Sequence, residues 1–172
     1  FNLAGLADYY RDFVAFSNNR GGYLIHGIRD KPRTITGLCA KSIEQFEKID
    51  PEKITGHLLE TFSSDIRWEQ ALIEISGASL GVFRIYEAQT KPVIAKQNVG
   101  KDQTIKNGEV YYRYGGRTQK IQAAELESII NKRVEQNNKQ WLDLMSKIGS
   151  AGPQNAAILD TEKSLIEKDD SK

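Results

Sequence analysis

The stretch Phe16-Ser17-Asn18-Asn19-Arg20-Gly21-Gly22-Tyr23-Leu24-Ile25-His26-Gly27-Ile28-Arg29-Asp30 decides how the chain folds, because a helix ends and a strand begins inside it. Upstream, Leu3, Leu6, Ala7, Tyr10, Phe13, Val14 and Phe16 recur mostly three or four residues apart, which predicts a helix over 3–18. Asn18-Asn19-Arg20-Gly21-Gly22 stops that helix, since asparagine and glycine tolerate the left-handed backbone that closes one. Tyr23 to Ile28 is then almost continuously apolar and reads as a buried strand. Residues 29–38 follow as a turn or short hairpin, with Pro32 and Gly37 as punctuation.

Working outward, helices are predicted near 40–48 and over 51–63, where Pro51 suits a first helical position and Ile54, Leu58, Leu59 and Phe62 form an apolar face. Residues 66–75 and 81–86 read as strands joined by Ser76-Gly77-Ala78-Ser79. Val93-Ile94-Ala95 is a short strand candidate. Val110 to Tyr114 is another, opened by the Asn107-Gly108 turn signal and closed by Gly115-Gly116-Arg117-Thr118. A long helix is predicted from Gln122 to Ile148, with a break at Asn137-Asn138. This order is α/β in the α+β sense: a mixed, largely antiparallel sheet flanked by helices, and no regular βαβ array. Residues 1–148 are expected to form one domain. Residues 149–153 then read as a linker, and 154–172 as a weak helix or disordered tail too poor in apolar residues to fold alone.

Composition narrows the function classes. The chain has 172 residues, 39% hydrophobic and 27% charged, and no run approaches the ~20 apolar residues that span a bilayer. Cys39 is the only cysteine and His26 and His57 the only histidines. That excludes an intramolecular disulfide framework and a cysteine zinc site, and points to a reducing, cytoplasmic setting. Phe1 in place of methionine is expected to be a cut end. The net charge of +1 hides an asymmetry. Residues 29–41 carry Arg29, Lys31, Arg33 and Lys41 against Asp30, and 91–120 carry seven bases against Asp102 and Glu109. Residues 42–90 hold nine acids against four bases. Two basic, loop-rich segments make a phosphate-attracting surface if the fold joins them, and a scattered solvated surface if it does not.

Individual residues carry competing readings. Gly21-Gly22 lies between a helix and a strand, the reverse of a phosphate loop, and no G-x-x-x-x-G-K-[ST] occurs, so a tight turn is expected and no ATP. Asp30 ends the strand among Arg29, Lys31 and Arg33. It could hold a divalent cation beside a bound phosphate, or simply bond its own backbone in a turn, the plainer role for one carboxylate. His26 reads as a hydrogen-bonded core histidine on the strand face opposite Tyr23 and Ile25, His57 as exposed, and Cys39 as a buried inert thiol. Alternation puts Tyr112 and Tyr114 on one strand face, Tyr111 and Arg113 on the other. An exposed tyrosine beside arginine can stack a base, although tyrosine is also a good strand former.

The quoted stretch resembles the "AFANTxGGxLxIGVxD" core of the Schlafen AlbA-like domain, a nucleic-acid-binding family also labelled divergent AAA. Thr36-Gly37-Leu38 is similar to the "V-x-G" that follows it, Glu109 to Thr118 to the "YVRxGSST" strand and turn, and Ala123-Ala124-Glu125-Leu126 to the "A-x-x-E-[IL]" opening of the closing helix. The resemblance covers about residues 3–131. It implies a Schlafen-type fold, often a module of bacterial regulators and defence proteins. Some members are metal-dependent endoribonucleases acting on structured RNA such as tRNA. In those, two glutamates precede the first helix in an "E-S-x-x-x-E-F-K" stretch, which would lie upstream of Phe1, and an aspartate ends the "GVDD" strand. Asp30 matches that aspartate. Arg29 stands in place of the other acid, and His26 where an apolar residue is usual.

Three functions are therefore expected to compete. In the first, Asp30 is the catalytic and metal-binding carboxylate of a magnesium- or manganese-dependent endoribonuclease, while Arg20, Arg29, Lys31, Arg113, Arg117 and Lys120 contact RNA phosphates. In the second, the domain binds DNA or RNA without cleaving it. In the third, it is an oligomerisation domain of a defence complex. The resemblance also implies a homodimer, because larger relatives pair two such lobes in one chain.

Overall fold

The computed structural model describes residues 6–100 and 104–151. The chain divides into two units, 1–133 and 134–172. In chain order the described elements are α1 (Leu6–Asn18), β1 (Gly22–His26), β2 (Ile28–Arg29), β3 (Thr34–Ile35), α2 (Ala40–Glu47), α3 (Pro51–Thr61), β4 (Trp68–Ile75), β5 (Ala78–Ile85), β6 (Tyr111–Tyr114), β7 (Arg117–Lys120) and α4 (Ala123–Ala151). β5 is the middle of an antiparallel three-stranded sheet, β1-β5-β4, and β2–β3 and β6–β7 are separate hairpins. The fold is thus mixed α/β with antiparallel pairing, as the sequence indicates.

Helix α1 serves two layers. Its Phe13 ring meets Phe83 of β5 at 5.4 Å and Trp68 of β4 at 5.7 Å, within a core that also holds Phe46, Ile54, Leu58 and Phe62. Arg11, Asp12 and Asn18 instead reach the β6–β7 hairpin. The end of α1 is sewn down by Asn18, which is buried. Its amide nitrogen donates to the carbonyls of Val93 and Tyr111, both at 3.0 Å, and its oxygen accepts from the Val93 amide at 2.7 Å. Asn19 adds a bond to the Arg113 carbonyl at 2.8 Å. Gly21-Gly22 is a tight turn. Gly21 has φ +73, and a Cβ there would lie 2.6 Å from the Ile85 carbonyl, while one on Gly22 would strike the Phe16 ring at 2.3 Å.

Several boundaries differ from expectation for local reasons. β1 stops at His26, because Gly27 at φ +101 turns the chain into the β2–β3 hairpin. The β4–β5 connection is shorter than expected. Ser76 and Gly77 both have positive φ, at 53 and 75, as in a two-residue hairpin turn, so pairing begins at Ile75 with Ala78. Residues 93–95 form no strand, only a single bridge from Ala95 to Phe62. Arg117–Lys120 does not merely close a strand but pairs with β6. α4 runs through Asn137-Asn138 without a break and includes Gly149, Ser150 and Ala151. Within 134–151 of the second unit, Val134, Trp141, Leu142, Leu144, Met145 and Ile148 are exposed. The expectations for residues 1–5 and 152–172 lie outside the described residues. No described helix is long and apolar enough to cross a membrane.

Candidate nucleic-acid interface

The strand end at Gly27 delivers the chain into a four-residue turn, Asp30-Lys31-Pro32-Arg33, between β2 and β3. Ile28 pairs with Ile35 and Arg29 with Thr34, so the hairpin is short and its tip is almost entirely charged. Thr36 and Gly37 anchor its base by donating backbone amides to the Gly27 carbonyl, both at 2.9 Å. Arg29, Asp30, Lys31 and Arg33 are all exposed. None of the four side chains has a hydrogen bond or ion pair among the described residues. Three cations are thus crowded around one carboxylate on a rigid base, which attracts phosphate through a field rather than a preformed pocket.

The other expected contacts lie elsewhere. Arg20 precedes β1 while Asp30 follows its far end, so a strand of roughly 15 Å separates them. Arg20 and Arg117 are exposed and, like the hairpin cations, have no partner among the described residues. Lys120 is 68% exposed, with Glu109 at 3.5 Å. Arg113 has a structural role. It pairs with Asp12 at 3.3 Å, donates to Thr118 Oγ1 at 3.0 Å and lies over the Phe16 ring at 4.9 Å. Its guanidinium fastens the β6–β7 hairpin to α1. Strand alternation places it there together with buried Tyr111, while the Tyr112 and Tyr114 rings meet on the other face at 5.1 Å. Arg33 joins the cationic tip although the sequence singled it out only as a neighbour of Asp30. The signal was the Asp-Lys-Pro-Arg turn itself, which faces successive side chains to solvent.

The described residues do not by themselves assemble a divalent-cation site. Among the described residues no group of three or more His, Cys, Asp or Glu side chains is placed to hold one. Asp30 contributes one exposed carboxylate, which alone is a weak ligand for a hard ion wanting several oxygens.

The remaining polar candidates are structural or local. His26 packs edge-on against Tyr9 at 5.2 Å and Phe83 at 5.8 Å, and burial lowers its pKa to about 4, so it is neutral at pH 7. His57 is exposed, with Nδ1 at 3.3 Å from the Tyr10 hydroxyl. Cys39 is exposed rather than buried, because it caps α2 from outside the core. Its Sγ lies 3.3 Å from Ser42 Oγ, and that contact draws the thiol pKa down.

Comparison with known proteins places these features in a family. The chain is 38% identical over 173 residues to an uncharacterized ATP-binding protein of Ureaplasma parvum serovar 3, covering 93% of this chain and 48% of that one. It therefore spans about half the length of that relative. Among solved structures, the DIP2311 protein of Corynebacterium diphtheriae superposes with a TM-score of 0.47 at 15% identity, over 75% of this chain and 20% of that one. The N-terminal domain of a RecG-related protein from Nitrosomonas europaea superposes at 0.33 with 26% identity, over 63% of this chain and 71% of that one. At such scores neither likeness fixes the fold or the function. The family described as Schlafen, AlbA_2 matches residues 4–122, a span that takes in all of α1 through the β6–β7 hairpin, and to that family the chain belongs.

Proposed function

We propose that this domain binds nucleic acid, with structured RNA favoured, and that the tip of the β2–β3 hairpin makes the main phosphate contacts. The observation that carries this is the set of cations whose side chains have no partner among the described residues: Arg29, Lys31 and Arg33 at the tip, Arg20 at the other end of β1, and Arg117 beside the β6–β7 turn. The family's association with nucleic acid is consistent with it. Cleavage is the finer reading. It needs further carboxylates beside Asp30, and none converges there among the described residues. Binding is therefore the function these residues support.

The test is a mobility-shift titration with tRNA across a salt series. The combined Arg29→Ala, Lys31→Ala, Arg33→Ala variant is expected to bind at least about tenfold more weakly at 100 mM salt, with the slope of log K against log salt reduced by about 2–3. Asp30→Ala removes the one opposing charge and is expected to bind roughly twofold more tightly. In magnesium or manganese this chain is expected to leave the RNA intact. Unchanged affinity and slope in the triple variant discard the hairpin. Metal-dependent cleavage lost in Asp30→Ala would establish a cleavage centre instead.

A further inference from the structure

Beside α3 and the start of β4 lies an open cleft of about 710 Å³, lined in part by Asp65, Arg67, Trp68, Glu69 and Tyr86. Its volume suits a small planar ligand. The Arg67 guanidinium lies over the Tyr86 ring, 5.5 Å from the centroid, and Arg84 over the same ring at 4.5 Å. β-Sheet register supports this arrangement: Arg84 sits directly between Tyr23 of β1 and Glu69 of β4. The Glu69 carboxylate beside the Tyr86 hydroxyl holds the phenol above its ordinary pKa. Tyr23 is 57% exposed. The preceding turn is close by, since Gly21, next to Arg20, packs on the backbone of Ile85, Tyr86 and Glu87.

Asp65 and Glu69 balance Arg67 and Arg84, so the cleft is no phosphate trap. It offers guanidinium groups over a phenol ring, with the acceptor-only carboxylates of Asp65 and Glu69 in the lining. A nucleobase matches both features. Its faces stack on arginine and tyrosine, and its exocyclic amino group donates to a carboxylate. A base locked in a duplex presents neither. Building on the nucleic-acid reading above, we propose that this cleft receives one unpaired, amino-bearing nucleobase, stacked on Arg67 and Tyr86. Its strand continues toward Arg20.

The same base chemistry is available from a free mononucleotide, and the experiment separates the two sources. In the full chain carrying Trp141→Phe, Trp68 is the remaining tryptophan of two and reports on the cleft. The ligands are a cytidine oligoribonucleotide, a uridine oligoribonucleotide, a blunt RNA duplex and cytidine monophosphate. The cytidine strand is expected to change Trp68 fluorescence and to bind more tightly than the uridine strand. Arg67→Ala and Tyr86→Ala should each weaken cytidine-strand binding roughly tenfold, the range for loss of one stacked base. Tyr86→Phe keeps the ring and should bind within about twofold of the parent, and duplex affinity should not move in any of the three. Cytidine monophosphate binding as tightly as the strand would identify the free nucleotide as the occupant of the same site. Strand affinity unchanged in both alanine variants, or equal affinity for cytidine and uridine strands, overturns the cleft and leaves the hairpin standing. No binding of any of the four ligands overturns both.

Discussion

Asn18 shows how much of this fold rests on one side chain. It is 1% exposed, and its amide satisfies two carbonyls and one backbone amide that belong to two other segments. Alanine there would leave those groups buried and unpaired. Asn18→Ala is therefore expected to destabilise the domain by roughly 2–4 kcal/mol, read from denaturant melts, whereas Asn19→Ala, whose bond is only part-buried, should cost about 1 kcal/mol. His26 makes stability depend on pH. Its folded pKa of about 4 lies below the ordinary 6.5, so between those values the unfolded chain binds the proton more readily. The contribution is complete above pH 6.5 and is lost as pH falls toward 4. Thermal melts from pH 7 to 5 are expected to show a falling midpoint, with the slope reduced in His26→Phe. An equal slope in that variant would assign the dependence to other groups. The sequence placed His26 on the strand face opposite Tyr23 and Ile25, and the structure leaves it half-buried there at the border of the core. The exposure of Cys39 was not visible in the sequence, because a single cysteine between a loop and a helix has no periodicity to place it.

At the level of elements, the two hairpins divide the basic residues by task. The β6–β7 hairpin uses Arg113 for attachment: its ion pair with Asp12 and its contact with Phe16 reach α1, while its hydrogen bond to Thr118 braces it within the hairpin. Arg117, at the same hairpin's turn, is free to meet a ligand. Arg113→Ala is thus expected to cost about 1–2 kcal/mol of stability, and Arg117→Ala less than about 0.5 kcal/mol. Arg117→Ala should instead weaken RNA binding by roughly two- to fivefold at 100 mM salt. Reversed effects in paired melts and titrations would show that the attachment and contact roles are exchanged. Strand alternation made the Tyr111/Arg113 and Tyr112/Tyr114 faces readable in advance. The partner strand Arg117–Lys120 was not, because Arg-Thr-Gln-Lys is polar throughout and acquires its strand form only by pairing with β6. The early start of β5 was hidden for a similar reason: Ser76 adopts a positive φ that its residue type does not announce.

On the scale of the whole molecule, the order of helices and antiparallel strands was legible because each long element carries its own periodicity and punctuation. The candidate site was legible only as charge. The basic segment 29–41 stood out, yet its place at the opposite end of β1 from Arg20 depended on turns at Gly21 and Gly27. Asp30 and Arg20, ten positions apart in sequence, consequently lie at opposite ends of one strand. A polynucleotide that touches both must lie along β1, whereas a compact anion can satisfy only one. The Arg67–Tyr86 cleft escaped notice because its two residues lie just before β4 and just after β5, and only the pairing of those strands brings them together.

The Gly21-Gly22 turn has a mechanical consequence. Arg20 hangs on backbone wedged between Phe16 and the carbonyl of Ile85, with no slack for a side chain on either glycine. Force applied to that arginine by a bound strand is therefore transmitted to β5 and not absorbed by a loop. Occupancy at this end of the sheet should leave its mark as slowed amide exchange in the middle strand, several residues from any atom the ligand touches.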